Sequence, residues 1–193
     1  MKKYLFIIIA FQFAISFVFC QTAEEYIDMA LSYYNNGDYE KSIQFCDSAI
    51  SINSKEAITW YYKGRALFKL KDIEEAIKCY DSATNIFIFP LGALYINVWF
   101  DKGIAFQELK KYDKAIICYD KLSESKRIHY EESLYNKARI YSLMKNKEEM
   151  IKSLKKATDA DWSLKEKAKT EKDFEFYWND VDFEELLLIK GWF

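Results

Sequence analysis

The stretch Trp60–Ala83 (WYYKGRALFKLKDIEEAIKCYDSA) returns further along the chain as Trp99–Leu122 (WFDKGIAFQELKKYDKAIICYDKL). One constant shift lays Trp60 on Trp99, Lys63 on Lys102, Gly64 on Gly103 and Ala66 on Ala105. It also lays Ala76, Cys79, Tyr80 and Asp81 on Ala115, Cys118, Tyr119 and Asp120. A repeat with a period of roughly 20–50 residues is one supersecondary unit that cannot bury its apolar face alone, so neighbouring copies must stack. One Pro and five Gly in 193 residues suit helices joined by short turns and argue against sandwiches and barrels. The aromatics, 18% of the chain, then fill the gaps between paired helices.

An aromatic, Gly, a large apolar residue, Ala and an aromatic follow one another at the spacing of the tetratricopeptide repeat, which the chain therefore resembles. The resemblance implies an all-α solenoid of helical hairpins, right-handed and curved, running from Ala23 to about Leu187. Four repeats are expected at about 23–56, 57–95, 96–130 and 131–164, within 21–161, followed by a helical cap over 162–193. In the first, Tyr26, Ala30, Ile43 and Ala49 hold the places that Trp60, Gly64, Ile77 and Ala83 hold in the second. Gly37 supplies the positive φ that ends its first helix, and Asp38 caps its second. Ser42, Cys46 and Ser54 depart from the family pattern. Gly64 belongs where the two helices of a hairpin cross, and bulk there would overpack the crossing. Lys63, Lys102 and Lys137 lay their stems over apolar surface and send their ammonium groups to water. The fourth repeat, with Leu134, Met150 and Leu154 at signature positions, is degenerate, as terminal repeats often are.

Five extra residues fall between the second and third repeats, within the uncharged stretch Ile86–Ile96 (IFIFPLGALYI). It reads either as a first helix lengthened at its start near Pro90 or as an exposed apolar edge around Phe87 and Phe89. The edge would pair two copies or meet a partner. In the tail, Phe174, Tyr177, Trp178, Phe183, Leu186 and Leu187 make an apolar stripe. Asp182 and Glu185 are expected to form a capping box, with Val181 and Leu186 as its hydrophobic staple.

Residues 1–20 have the layout of a secretory signal peptide: Lys2 and Lys3, an apolar run Tyr4–Phe19, then polar sequence from Gln21. The run is short for a bilayer core of about 30 Å, which favours cleavage after Cys20 over a permanent span. Lipidation of Cys20 is a further alternative, set back by Phe19 where lipoproteins carry a small residue. The expected location is therefore periplasmic or secreted. Cys46, Cys79 and Cys118 read as small buried hydrophobes. Packed helices lie about 8–10 Å apart, too far for a disulfide between equivalent positions.

A net charge of −2 gives no basic footprint for nucleic acid. His129 is the only histidine and is expected to be solvated in the turn before the fourth repeat. No phosphate loop, nucleophile elbow or Cys-x-x-Cys pair occurs, and Asn179–Asp182 lacks the Gly and Glu of a calcium loop. No acid, base and nucleophile converge by spacing, so the chain reads as non-catalytic, without cofactor or metal. The resemblance implies a scaffold or adaptor of the cell envelope that binds a protein partner, as a peptide or helix, on its concave face. By the family's geometry that face carries Tyr34 from the first repeat and Tyr61, Tyr62, Arg65 and Lys69 from the second. The third adds Asn97 and Asp101, and the fourth Tyr135, Asn136 and Arg139. One subclass grips the terminal carboxylate of chaperone peptides, but its positions here hold Ile27, Leu31, Asn97 and Asp101, so that clamp is absent. The Tyr and Arg residues point instead to an acidic-aromatic peptide. The alternative from another class is a glycan or cell-wall binder that uses exposed aromatics such as Tyr61 and Tyr62 as stacking platforms.

Overall fold

The computed structural model describes residues 22–86, 92–123 and 128–188; among them there is helix and no strand. Eight helices form four hairpins: α1 (Ala23–Asn35) with α2 (Tyr39–Ile52), α3 (Ala57–Lys69) with α4 (Ile73–Ile86), α5 (Ala93–Glu108) with α6 (Tyr112–Ser123), and α7 (Tyr130–Leu143) with α8 (Lys147–Ala160). A short helix α9 (Leu164–Ala168), a 3-10 segment (Lys172–Tyr177) and α10 (Val181–Leu187) complete the described chain. The second helix of each hairpin packs on the first helix of the next, so the hairpins stack in chain order. The first helices α1, α3 and α5 also meet one another directly. That contact places the first helices on the inner side of the curve.

The repeat register explains the hairpins. Gly64 and Gly103 sit where the helices of one hairpin cross. A Cβ on either would lie 2.7 Å from the ring of Tyr80 or Tyr119, nearer than van der Waals contact allows. Each hairpin turns on one residue of left-handed backbone: Gly37 (φ +80°), then Lys71 (68°), Lys110 (55°) and Lys145 (57°). Only the first is glycine, the residue that adopts this region without steric cost. Asp38 caps α2 by accepting from the Lys41 amide, and Asn146 caps α8 in the same way. At α1, Thr22 and Glu25 form a reciprocal capping box.

The recurring lysines do more than cover apolar surface. Lys63 pairs with Asp47, Lys102 with Asp81 (2.5 Å) and Lys137 with Asp120. Each rung ties the first helix of one hairpin to the second helix of the hairpin before it. Lys102 is the most enclosed, its side chain only 10% exposed, and its ammonium also lies 4.4 Å from the centre of the Trp99 ring. So the expectation that these ammonium groups run out to water is corrected at Lys102: the carboxylate and the indole face replace most of the water.

Helix α5 has 16 residues, against 13 in α1 and α3. It begins at Ala93, ahead of Ile96, and is capped at Gly92. Part of the inserted stretch is therefore helix, although it starts after Pro90. Phe87, Phe89 and Pro90, on which the paired-edge reading rests, lie outside the described residues, as do residues 1–20 and Cys20. No helix among the described residues is long and apolar enough to cross a membrane.

Among the described residues, two apolar clusters hold the second to fourth hairpins and the tail. One joins the second and third hairpins through Tyr61, Tyr80, Ile96, Val98, Tyr119 and Leu122. The other joins α7 and α8 to the tail through Leu134, Leu154, Phe174 and Phe183. The cap of α10 differs from expectation. Asp180 accepts from the amides of Asp182 and Phe183, and Val181 is 75% exposed, so there is no staple. The Asn-Asp-Val-Asp run offers two acidic residues at cap spacing, and the earlier one is the cap.

Candidate functional site

The first helices α1, α3, α5 and α7 position the expected groove residues, but they do not leave all of them open. Tyr61 is 6% exposed and Tyr135 1%. Both are corrections to the sequence reading. Tyr61 donates its hydroxyl to Asp101 (3.0 Å) on the next first helix, and its ring packs near Tyr80. The ring of Tyr135 is covered by the edge of Phe174 (5.7 Å between centroids) and by the Lys167 ammonium (4.7 Å). These two residues share a register, and that register faces the next layer of the stack. They are interface residues, so Tyr61 cannot serve as a stacking platform for a glycan.

The remaining residues divide into three places. The first is a cluster on α1, α3 and α5. Arg65 lies between two rings, its Cζ 4.7 Å from the centre of Tyr34 and 5.5 Å from that of Tyr61. Its Nε is 3.5 Å from Asp101, a loose ion pair, and among the described residues its guanidinium gives no hydrogen bond. Tyr62 adjoins both Tyr34 (6.1 Å) and Tyr61 (5.5 Å). Burial raises the carboxyl of Asp101 above its ordinary range, against the opposing pull of Arg65 and of the Tyr61 hydroxyl. Lys69 stands exposed at the end of α3.

The second place is the junction of the third and fourth hairpins. Here Asn97 is held by His129, with Nε2 of the ring 3.1 Å from its Oδ1, while Nδ1 lies 2.6 Å from Glu132. The imidazole stacks flat on Phe100, 4.1 Å between centroids and 9° between planes. The expectation of a solvated histidine is thereby corrected: left-handed backbone at His129 turns the ring inward onto α5.

The third place belongs to the tail. Arg139 donates from Nε and Nη2 to Oδ2 of Asp173, at 2.8 Å each, and from Nη1 to Asn136 (3.3 Å). Glu171 lies 3.6 Å away. The 3-10 segment thus sits against α7 as a following first helix would, and it occupies Arg139. Sequence reading missed Glu171, Asp173 and Phe174 as occupants of the groove's end. Their one available signal was an acidic-aromatic Asp-Phe pair in a segment already expected to cover the last repeat.

An open groove of about 1590 Å³ lies elsewhere, between α8 and α10. Its apolar lining includes Ile151, Trp162, Leu186 and Leu188, and its four lysines are matched by four carboxylates. It brings no nucleophile and base together, and it borders none of the first-helix residues above. Among the described residues no group of side chains could hold a metal ion.

Stacked hairpins with a helical cap define the class of helical-repeat solenoids. Models of the tetratricopeptide repeat match residues 55–128 and 131–161, together more than half of the chain. The chain belongs to the tetratricopeptide-repeat family. The model described as anaphase-promoting complex, cyclosome, subunit 3 matches residues 20–83. Among solved structures, MamA from Desulfovibrio magneticus RS-1 superposes with a TM-score of 0.71 at 16% identity, covering 85% of this chain and 88% of its own. YrrB, described as a tetratricopeptide-repeat protein with an unusual peptide-binding site, gives 0.69 at 15% identity, covering 85% of this chain and 82% of its own. The first such domain of Spaghetti (RPAP3), bound to the HSP90 peptide SRMEEVD, gives 0.58 at 18% identity, covering 65% and 94%. A comparison with curated protein sequences gave no match. At these identities the structural likeness carries the fold.

Proposed function

We propose that this protein is a non-catalytic interaction scaffold of the cell envelope that binds an extended peptide or a helix of a protein partner on the concave face. The observation that carries the reading is the cluster of Tyr34, Tyr62 and Arg65, half-buried side chains gathered from two hairpins on the inner, first-helix side. Half-buried Tyr and Arg are the side chains that most often anchor a protein interface. Two of the similar folds, YrrB and Spaghetti, are described with peptide sites, which supports peptide binding as the mode. The envelope setting rests on the signal-like residues 1–20.

The test is capture of partners from a cell-envelope extract by the full chain and by its Tyr62→Ala variant, with a glycan array run in parallel. A polypeptide retained at high salt by the former and lost by the latter supports the reading. Saturable glycan binding without a retained polypeptide overturns it.

A further inference from the structure

Resting on that reading, the register of α3 and α7 allows the ligand's chemistry to be named. Arg65 and Arg139 occupy the same repeat position, each one turn after a buried tyrosine, Tyr61 or Tyr135. Their guanidinium groups are in different states. Arg139 is engaged in its own plane: Nε and Nη2 both reach Asp173 at 2.8 Å, and Phe174, the next residue, sets its ring edge-on to Tyr135. Arg65 has its Cζ between the rings of Tyr34 and Tyr61, with only a loose ion pair to Asp101 at 3.5 Å from Nε and no hydrogen bond among the described residues. A guanidinium carries five in-plane N–H donors in a fork that matches a carboxylate. At Arg65 that fork has no hydrogen-bonded partner among the described residues, only the loose ion pair from Nε to Asp101. At Arg139 the same fork is filled by the chain's own tail.

We propose that Arg65 is the carboxylate receptor of the concave face, taking an Asp or Glu side chain, or a terminal carboxylate, next to an aromatic residue. The Asp173-Phe174 contact is its intramolecular counterpart. The aromatic neighbour lies on Tyr34 and Tyr62, because Tyr61 is already closed off by Asp101 and Tyr80. Asp101 is the weak internal competitor: it lowers the field at Arg65 without occupying its fork. The subsite is separate from the chaperone-tail clamp, whose positions here hold Ile27, Leu31, Asn97 and Asp101.

The probe is a dye-labelled peptide with the sequence of Lys172–Tyr177 (KDFEFY), acetylated and amidated, titrated into the full chain by fluorescence anisotropy. Its all-amide counterpart, with Asn and Gln for Asp and Glu, and an all-amide version with a free C-terminus separate side-chain from terminal carboxylates. Saturable binding is expected, about tenfold weaker for the all-amide peptide, and weakened about tenfold by Arg65→Met with unchanged circular dichroism. Arg65→Lys restores only part of the affinity, because an ammonium is not a fork. Asp101→Asn tightens binding. Recovery of affinity by the free C-terminus identifies the terminal carboxylate as the natural source. Binding that is indifferent to both Arg65→Met and the amide exchange, yet lost in Tyr62→Ala, overturns this inference and leaves the concave-face reading standing. No binding at millimolar peptide overturns the inference; with no envelope partner captured either, both fall.

Discussion

Breaking the Lys102–Asp81 rung from its two ends should have unequal effects. The Lys102 side chain is 10% exposed and that of Asp81 50%. Asp81→Ala leaves a mostly desolvated ammonium without its carboxylate. Removing one partner of a fully buried pair costs about 3–5 kcal/mol. Here the half-exposed carboxylate lets water in, and the Trp99 face 4.4 Å away keeps some favourable field at the ammonium. The expected loss is therefore about 1–3 kcal/mol, below the fully buried range. Lys102→Met removes the charge and keeps an apolar stem of similar length, so it should be within about 1 kcal/mol of neutral. In a chain of this size about 2 kcal/mol corresponds to a Tm lower by roughly 4–8 °C. Thermal unfolding of the two single variants and of the double variant, followed by circular dichroism, measures this. The double variant should resemble Lys102→Met. If Lys102→Met is as damaging as Asp81→Ala, the pair is a net stabiliser and the desolvation argument is refuted.

Three further outcomes are expected. Gly64→Ala should destabilise by about 1–3 kcal/mol, because its Cβ meets the Tyr80 ring inside contact distance; a midpoint equal to the parent's in denaturant titration contradicts the crossing. Lys110→Gly, at φ 55°, should stabilise by up to about 1 kcal/mol, and a lower Tm would show that the left-handed turn is not strained. Asp101→Asn should raise stability near neutral pH. With a folded carboxyl above its unfolded value, the native state holds the proton more tightly, so this residue's unfavourable contribution develops as pH rises from the unfolded carboxylate range through the folded one. The gain from Asp101→Asn should accordingly vanish at low pH, and a gain that grows on acidification contradicts the assignment.

The fold was legible because it rests on small, rigid constraints that recur in register. Gly64 beneath Tyr80 and Gly103 beneath Tyr119 are visible as echoes of one another at a constant shift. The candidate site was legible only as a set of positions. Whether Tyr61 or Tyr62 meets water depends on what the next layer places over it, and Asp101 covers one and not the other. The Lys–Asp rungs escaped notice because each partner stands in the hairpin before, and the insertion between the second and third repeats makes their separations unequal. Arg139 looked open because the tail reads as a helical stripe. Instead it enters as a 3-10 segment, which turns Asp173 toward α7 and buries Phe174. His129 carries no sequence signal for its inward turn, which needs Phe100 one layer earlier.

The most direct test of concave-face binding places a photo-crosslinking amino acid at Tyr62, or at Ile117, an exposed residue on the second helix α6. Each variant of the full chain is expressed in the native host and irradiated in intact cells. Concave-face binding predicts a discrete cross-linked polypeptide from position 62 and none from position 117. A partner captured only from position 117 would contradict it.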